Sequence, residues 1–161
     1  MNKVLVSSAI KNESLFYINN NSKHFENKKD YSVNGRIKFI ECKKIKLSEY
    51  KLKENYKHEL LENPIVEIEL EYINLNHTEN SVEIFENNCN LVDLDNFEFS
   101  VMKNYLIDND EICECLNLDR NIFHIYNLIP KVKHRIKLFF IVPDEETEYY
   151  FKIVNGSIEE I

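Results

Sequence analysis

The chain has 161 residues and a mass of 19.3 kDa, room for one ordinary domain, and its 43% hydrophobic content is enough for a packed core despite 30% charged residues. Its 2 Gly and 3 Pro exclude Gly-rich phosphate loops, because neither Gly35 nor Gly156 has a second Gly within reach of such a motif. The net charge of −8 is uneven: residues 1–60 hold 13 basic and 7 acidic groups, residues 61–161 hold 7 and 21, and so acidic a body repels phosphate backbones, so that no nucleic-acid partner is expected.

Residues 1–34 mix short apolar pieces (Val4, Leu5, Val6; Leu15, Phe16, Tyr17, Ile18) with a polar tract, INNNSKHFENKKD, that has no stable period. They read as an N-terminal extension with one or two short strands. The apolar start is cut by Ser7, Ser8 and Lys11, so it lacks the h-region of a signal peptide, and no lipobox cysteine follows. No run approaches the ~20 apolar residues of a membrane helix. As given, the chain reads as cytoplasmic, and as secreted or cell-surface if a leader has been removed.

A domain over residues 35–161 follows. In RIKFIECKKIKL, Ile37, Phe39 and Glu41 fit one strand face while Ile40, Cys42 and Ile45 show the alternation slipping at a bulge. Residues 48–62 place Tyr50, Leu52, Tyr56 and Leu60 mostly at fourfold spacing behind Ser48, which fits a short helix or a long polar hairpin. In IVEIELEYINL, Val66, Ile68, Leu70 and Tyr72 alternate with Glu67, Glu69, Glu71 and Ile73, the pattern of an antiparallel strand with one buried and one wet face. The turn NHTEN leads to SVEIF, and NCNLVDLDNFEFSVM holds two short strands broken at Asp95 and Asn96, where Asn suits a left-handed turn position.

Residues 103–127 fit either a helical turn from Asp108 or a long loop, returning to extended structure in NIFHIYNLI. RIKLFFIV then alternates Ile136, Leu138, Phe140 and Val142 against Arg135, Lys137, Phe139 and Ile141; Pro143 ends the strand, DEET turns, and EYYFKIV begins the next. Short strands at intervals of roughly 8–15 residues predict an all-β fold, a sandwich of two antiparallel sheets.

Three segments in order, IVEIELEYINLNHTENSVEI, NCNLVDLDNFEFSV and LIPKVKHRIKLFFIVPDEETEYYFKI, resemble the telokin-like, immunoglobulin-like sandwich domain of unknown function found in secreted proteins and lipoproteins of Gram-positive bacteria. The matching residues are Val66 to Tyr72 running into Asn and a turn, Leu91, Val92 and Asp93 through Phe97, and Leu128, Pro130, Phe140, Val142 and Pro143. That family usually carries Gly where Asn96 and Lys131 stand. The resemblance covers about residues 35–153. It implies an immunoglobulin-like sandwich with a role in binding or accessory packing, and no catalytic residues to carry over.

Several side-chain groups bear on chemistry. Cys113, Cys115 and His124 are soft zinc ligands, but C-x-C lacks the usual knuckle and Glu111 and Glu114 beside the thiols raise their pKa, so no metal or other cofactor is expected. Cys42, Cys89, Cys113 and Cys115 allow two disulfides in three connectivities, or stay reduced in a cytosolic chain. No cysteine lies beside a basic cluster and no G-x-S-x-G occurs, so no catalytic residue is expected. The acidic groups Asp108, Asp110 and Glu111, and again Asp144, Glu145, Glu146 and Glu148, lack EF-hand spacing and read as solvated turns or loop-tip calcium ligands.

Glu67, Glu69 and Glu71 form a carboxylate stripe on one strand face, and Lys133, Arg135 and Lys137 repeat the period with opposite sign. If the strands are neighbours the stripes pair across the sheet; otherwise Glu67, Glu69 and Glu71, with Asp144, Glu145 and Glu146, offer an acidic surface to a basic partner. The expected function is a non-enzymatic binding module for a protein partner or its own copies, acting through loop ends or an edge strand. The alternative is a small acidic cytosolic inhibitor, an immunity or counter-defence protein that blocks a basic surface.

Overall fold

The computed structural model describes residues 1–20, 32–46, 62–81, 84–102 and 127–161. Eleven strands and two short helices lie among them, in the order β1 (Lys3–Leu5), α1 (Val6–Lys11), β2 (Leu15–Asn20), β3 (Asn34–Ile45), β4 (Ile65–Asn74), β5 (Asn80–Ser81), α2 (Ile84–Asn88), β6 (Cys89–Asp93), β7 (Glu98–Ser100), β8 (Asn127–Leu128), β9 (Lys133–Ile141), β10 (Tyr149–Ile153) and β11 (Gly156–Glu160). The fold is all-β and antiparallel. One sheet has the order β1-β10-β6-β7, a second β11-β2-β3-β4-β9, and β5 pairs with β8 as a small third. No helix among the described residues is long and apolar enough to cross a membrane.

Alternation builds the core between the two large sheets. Val66, Ile68, Leu70 and Tyr72 of β4 and Ile136, Leu138 and Phe140 of β9 face Leu91 of β6 and Phe151 and Ile153 of β10, all buried. Phe39 of β3 meets Phe151 edge-on across the sandwich, ring centroids 5.2 Å apart, and Tyr72 meets Phe85 of α2 at 5.1 Å. Such edge contacts add to area burial by about 0.5–1.5 kcal/mol each. The slip expected in β3 is present: the register with β4 shifts between Phe39 and Glu41, leaving Ile40 as the extra residue.

Residues 1–34, read from the sequence as an extension with one or two short strands, supply β1 to one of the two large sheets and β2 to the other. β1 pairs with β10, and β2 lies between β11 and β3. Between them Val6, Ala9 and Ile10 at helical spacing turn an apolar face inward in α1. Its end is a Schellman turn, with Ser14 N–H donating to Ala9 O and Glu13 N–H to Ile10 O, and Glu13 takes the left-handed position (φ 51) where Gly is usual. The two glycines serve close approach instead. A methyl group on Gly35 would strike the Tyr72 ring and the Ile73 carbonyl, and one on Gly156 the Asn19 carbonyl. The short helix or hairpin expected over 48–62 and the helical turn or loop expected over 103–127 fall outside the described residues, apart from residues 62 and 127 at their ends.

Candidate interaction surface

β4 is a central strand, so its outward carboxylates have neighbours on both sides. Its register sets Glu71 opposite Arg135 and Glu69 opposite Lys137 on β9, and Glu67 opposite Lys43 on β3. The ion pairs follow: Glu67 with Lys43 and Lys137, both at 3.2 Å; Glu69 with Arg135 at 3.5 Å; Glu71 with Arg135 at 3.3 Å and Lys133 at 3.8 Å. Of the two expectations for this stripe, the cross-sheet pairing with Lys133, Arg135 and Lys137 is what forms. Glu67 also corrects the expectation of a wholly wet face, since only 3% of its side chain is exposed. It sits where the outer face turns apolar, with Ile45, Ile65 and Phe139 buried on the same face. A carboxylate buried there is tolerable because two ammonium groups hold it. On this face of β11, β2, β3, β4 and β9 the cations Arg36, Lys38, Lys43, Lys133, Arg135 and Lys137 stand against Glu41, Glu67, Glu69, Glu71 and Glu159, so it is close to neutral.

The second predicted group lies at one end of the sandwich. Asp144, Glu145 and Glu146 are exposed in the loop from β9 to β10, and the pairing of Tyr149 with Asp93 brings that loop beside the β6–β7 turn. Lys46 pairs with Asp144 at 3.1 Å, and Lys44 donates to the Glu145 carbonyl at 2.5 Å, leaving the Glu145 carboxylate untouched by that bond. Ser7 of α1 donates to Glu148 at 2.9 Å. Burial first, and then the Asp93, Cys42, Glu145 and Glu146 charges, push the pKa of the Tyr149 phenol up to about 12.

The β6–β7 turn is rigid for a local reason. Asp93 is buried, and its Oδ1 accepts from the Asp95 and Phe97 backbone N–H groups, both at 2.9 Å, while Asn96 takes the left-handed conformation (φ 68) expected of it. This clamp holds Leu94 and Phe97 out in solvent, 54% and 67% exposed. Sequence reasoning missed both. The turn interrupts the period-two pattern that tells inward from outward, and the D-L-D-N-F run is the available signal of a clamped turn.

At the far end of the sheets Asn74 is fully buried. Its Nδ2 donates to Thr78 O (3.0 Å) and Leu128 O (2.8 Å), its Oδ1 accepts from Asn76 N–H (2.9 Å), and its own carbonyl accepts from Lys131 N–H (2.9 Å). It ties the end of β4 to the Leu128–Pro130 corner, after which Lys131 turns with φ 64 and His134 Nε2 accepts from Ile129 N–H at 2.9 Å.

Cys42 is half-buried and Cys89 fully buried, both as free thiols. Burial and then the Glu41 charge push the Cys42 pKa up to about 11, and burial drives Cys89 higher still, so neither is poised as a nucleophile. Cys113, Cys115, His124 and the Asp108–Glu111 group fall outside the described residues. Among the described residues no group of three or more His, Cys, Asp or Glu side chains is placed to hold a metal ion. Comparisons with protein-family models, with curated proteins and with solved structures find no match to this chain.

Proposed function

We propose that this chain is a non-enzymatic β-sandwich module that docks a basic protein partner through one end of the sandwich, the end that carries Leu94 and Phe97 on the β6–β7 turn and Asp144, Glu145 and Glu146 on the β9–β10 loop. The clamped exposure of Leu94 and Phe97 carries the reading. A rigid aromatic side chain loses little conformational freedom on binding, and a charged surround steers an oppositely charged partner and excludes water around the anchor. The Glu67, Glu69 and Glu71 stripe has its charge taken up by lysine and arginine within the sheet, so the acidic attraction resides in the loop end. Asn96 and Lys131, where this chain departs from the Gly usual in the telokin-like family, both take left-handed backbone (φ 68 and 64).

Association kinetics with the partner test the reading. Glu145→Lys with Glu146→Lys should lower the association rate about tenfold and flatten its salt dependence, and Phe97→Ala should raise the dissociation rate with little effect on association. Unchanged rates in both variants overturn the proposal. Tight one-to-one binding that silences the partner's activity selects the inhibitor role over the accessory one.

A further inference from the structure

The outer face of the five-stranded sheet carries a second surface, at the corner away from the Glu67 network. Leu15 and Tyr17 of β2 are 47% and 48% exposed, and Ile161, whose N–H donates to the Leu15 carbonyl at 2.9 Å, is 59% exposed. The β2–β3 register sets Lys38 opposite Leu15 and Arg36 opposite Tyr17. These two cations make no ion pair among the described residues, and the register explains why. Arg36 faces Ile73 on β4, and Lys38 faces Glu71, whose carboxylate is already held by Arg135 and Lys133. Glu159 flanks Tyr17 from β11, so two uncommitted cations stand against one carboxylate around an apolar centre.

This corner is the chemical complement of the loop end: apolar side chains with surplus positive charge here, apolar side chains with surplus negative charge there. The two surfaces lie on different parts of the molecule, one on a sheet face and one at the sandwich end, so one chain does not satisfy itself. We propose that the Leu15, Tyr17, Arg36 and Lys38 corner receives the Phe97 and Glu145–Glu146 end of a second copy, giving head-to-tail self-association. It rests on the proposed role of the loop end as a docking surface and gives that end a second, weaker occupant, the basic corner of another copy of this otherwise acidic chain. A contact between different patches is heterologous and propagates to chains or closed rings, unlike a two-fold dimer. The exposed apolar side chains are few and the cations are not buried, which places the contact among weak, salt-sensitive interfaces.

Sedimentation of the full chain tests this between about 10 μM and 1 mM, the span over which weak contacts populate. The weight-average mass should rise above 19.3 kDa with concentration and fall back at high salt. Arg36→Glu with Lys38→Glu, and separately Glu145→Lys with Glu146→Lys, should each leave a monomer with unchanged circular dichroism. Mixed, the intact corner of one variant meets the intact loop end of the other, and the two reversed surfaces are complementary in charge as well, so association that rises with concentration should return. A wild type that stays monomeric, a mixture that stays monomeric, or association surviving in either variant alone overturns the inference. If the wild type is monomeric but the loop-end variant still loses a different protein partner, the proposed function stands and only its self-association falls.

Discussion

Replacing Asn74 should be the most damaging polar substitution in the described structure. The side chain is fully buried and makes three hydrogen bonds, to Thr78 O, Leu128 O and Asn76 N–H. Asn74→Ala removes all three together. At about 1 kcal/mol per bond, with a further penalty for each partner left without water, the loss is about 3–5 kcal/mol, a large part of the 5–15 kcal/mol typical of a domain. For a chain of this length that corresponds to a fall in Tm of roughly 6–20 °C. Asn74→Asp should be worse than Ala at neutral pH, because a carboxylate would face two carbonyl oxygens. The native fold would favour its protonated form and raise its pKa above the unfolded value, so this variant should regain stability as pH falls through that raised pKa. Urea and thermal unfolding followed by circular dichroism across pH measure both effects. A loss under 1 kcal/mol for Asn74→Ala, or an Asp variant that weakens as pH falls from neutral, would refute the assigned bonding.

Glu13→Gly and Lys131→Gly relieve left-handed backbone at φ 51 and 64 and should each stabilise the fold by about 0.5–1 kcal/mol, once the extra freedom of Gly in the unfolded chain is subtracted; a lower Tm would count against the turn assignments. Glu67→Gln should cost about 1–3 kcal/mol, less than a fully buried pair, because Lys43 and Lys137 are 48% and 34% exposed and can rehydrate; a double-mutant cycle with Lys137→Met should give a coupling of about 1 kcal/mol, and zero coupling would refute the bridge. With a thiol pKa of about 11, Cys42 is about one part in a thousand thiolate at pH 8, so in a Cys113→Ser, Cys115→Ser background alkylation read by mass spectrometry should be slow at Cys42 and require unfolding at Cys89.

The strands that read clearly from the sequence are those with one face uniformly apolar. In β4 and β9 the period of two is clear from Val66 to Tyr72 and from Lys133 to Leu138, so the buried face follows from it, and the cross-strand charge pairing follows once the two strands are neighbours. The bulge at Ile40 and the left-handed Asn96 were legible for the same local reasons: a broken alternation in one case, turn chemistry in the other. Helical turns were not. VSSAIK and IFENN are too short for 3.6-residue periodicity to differ from a strand's, and tertiary packing of Val6, Ala9, Ile84 and Phe85 decides them. That β1 and β2 join different sheets depends on pairing with β10, β3 and β11, contacts far away in the chain that no local pattern encodes. The candidate site divides in the same way. Asp144, Glu145 and Glu146 were legible as an exposed turn beside Pro143, whereas the exposure of Leu94 and Phe97 depends on the Asp93 clamp.

The most direct measurement is capture of a partner from lysate of the source cells, at low and high salt, by three forms of the chain: wild type, a loop-end variant (Phe97→Ser, Glu145→Lys, Glu146→Lys), and a charge-swapped stripe (Glu69→Arg, Arg135→Glu). The account predicts one stoichiometric basic partner, weakened by salt, lost by the loop-end variant and kept by the swapped stripe. A partner that stays with the loop-end variant, or that leaves with the stripe swap alone, would contradict it.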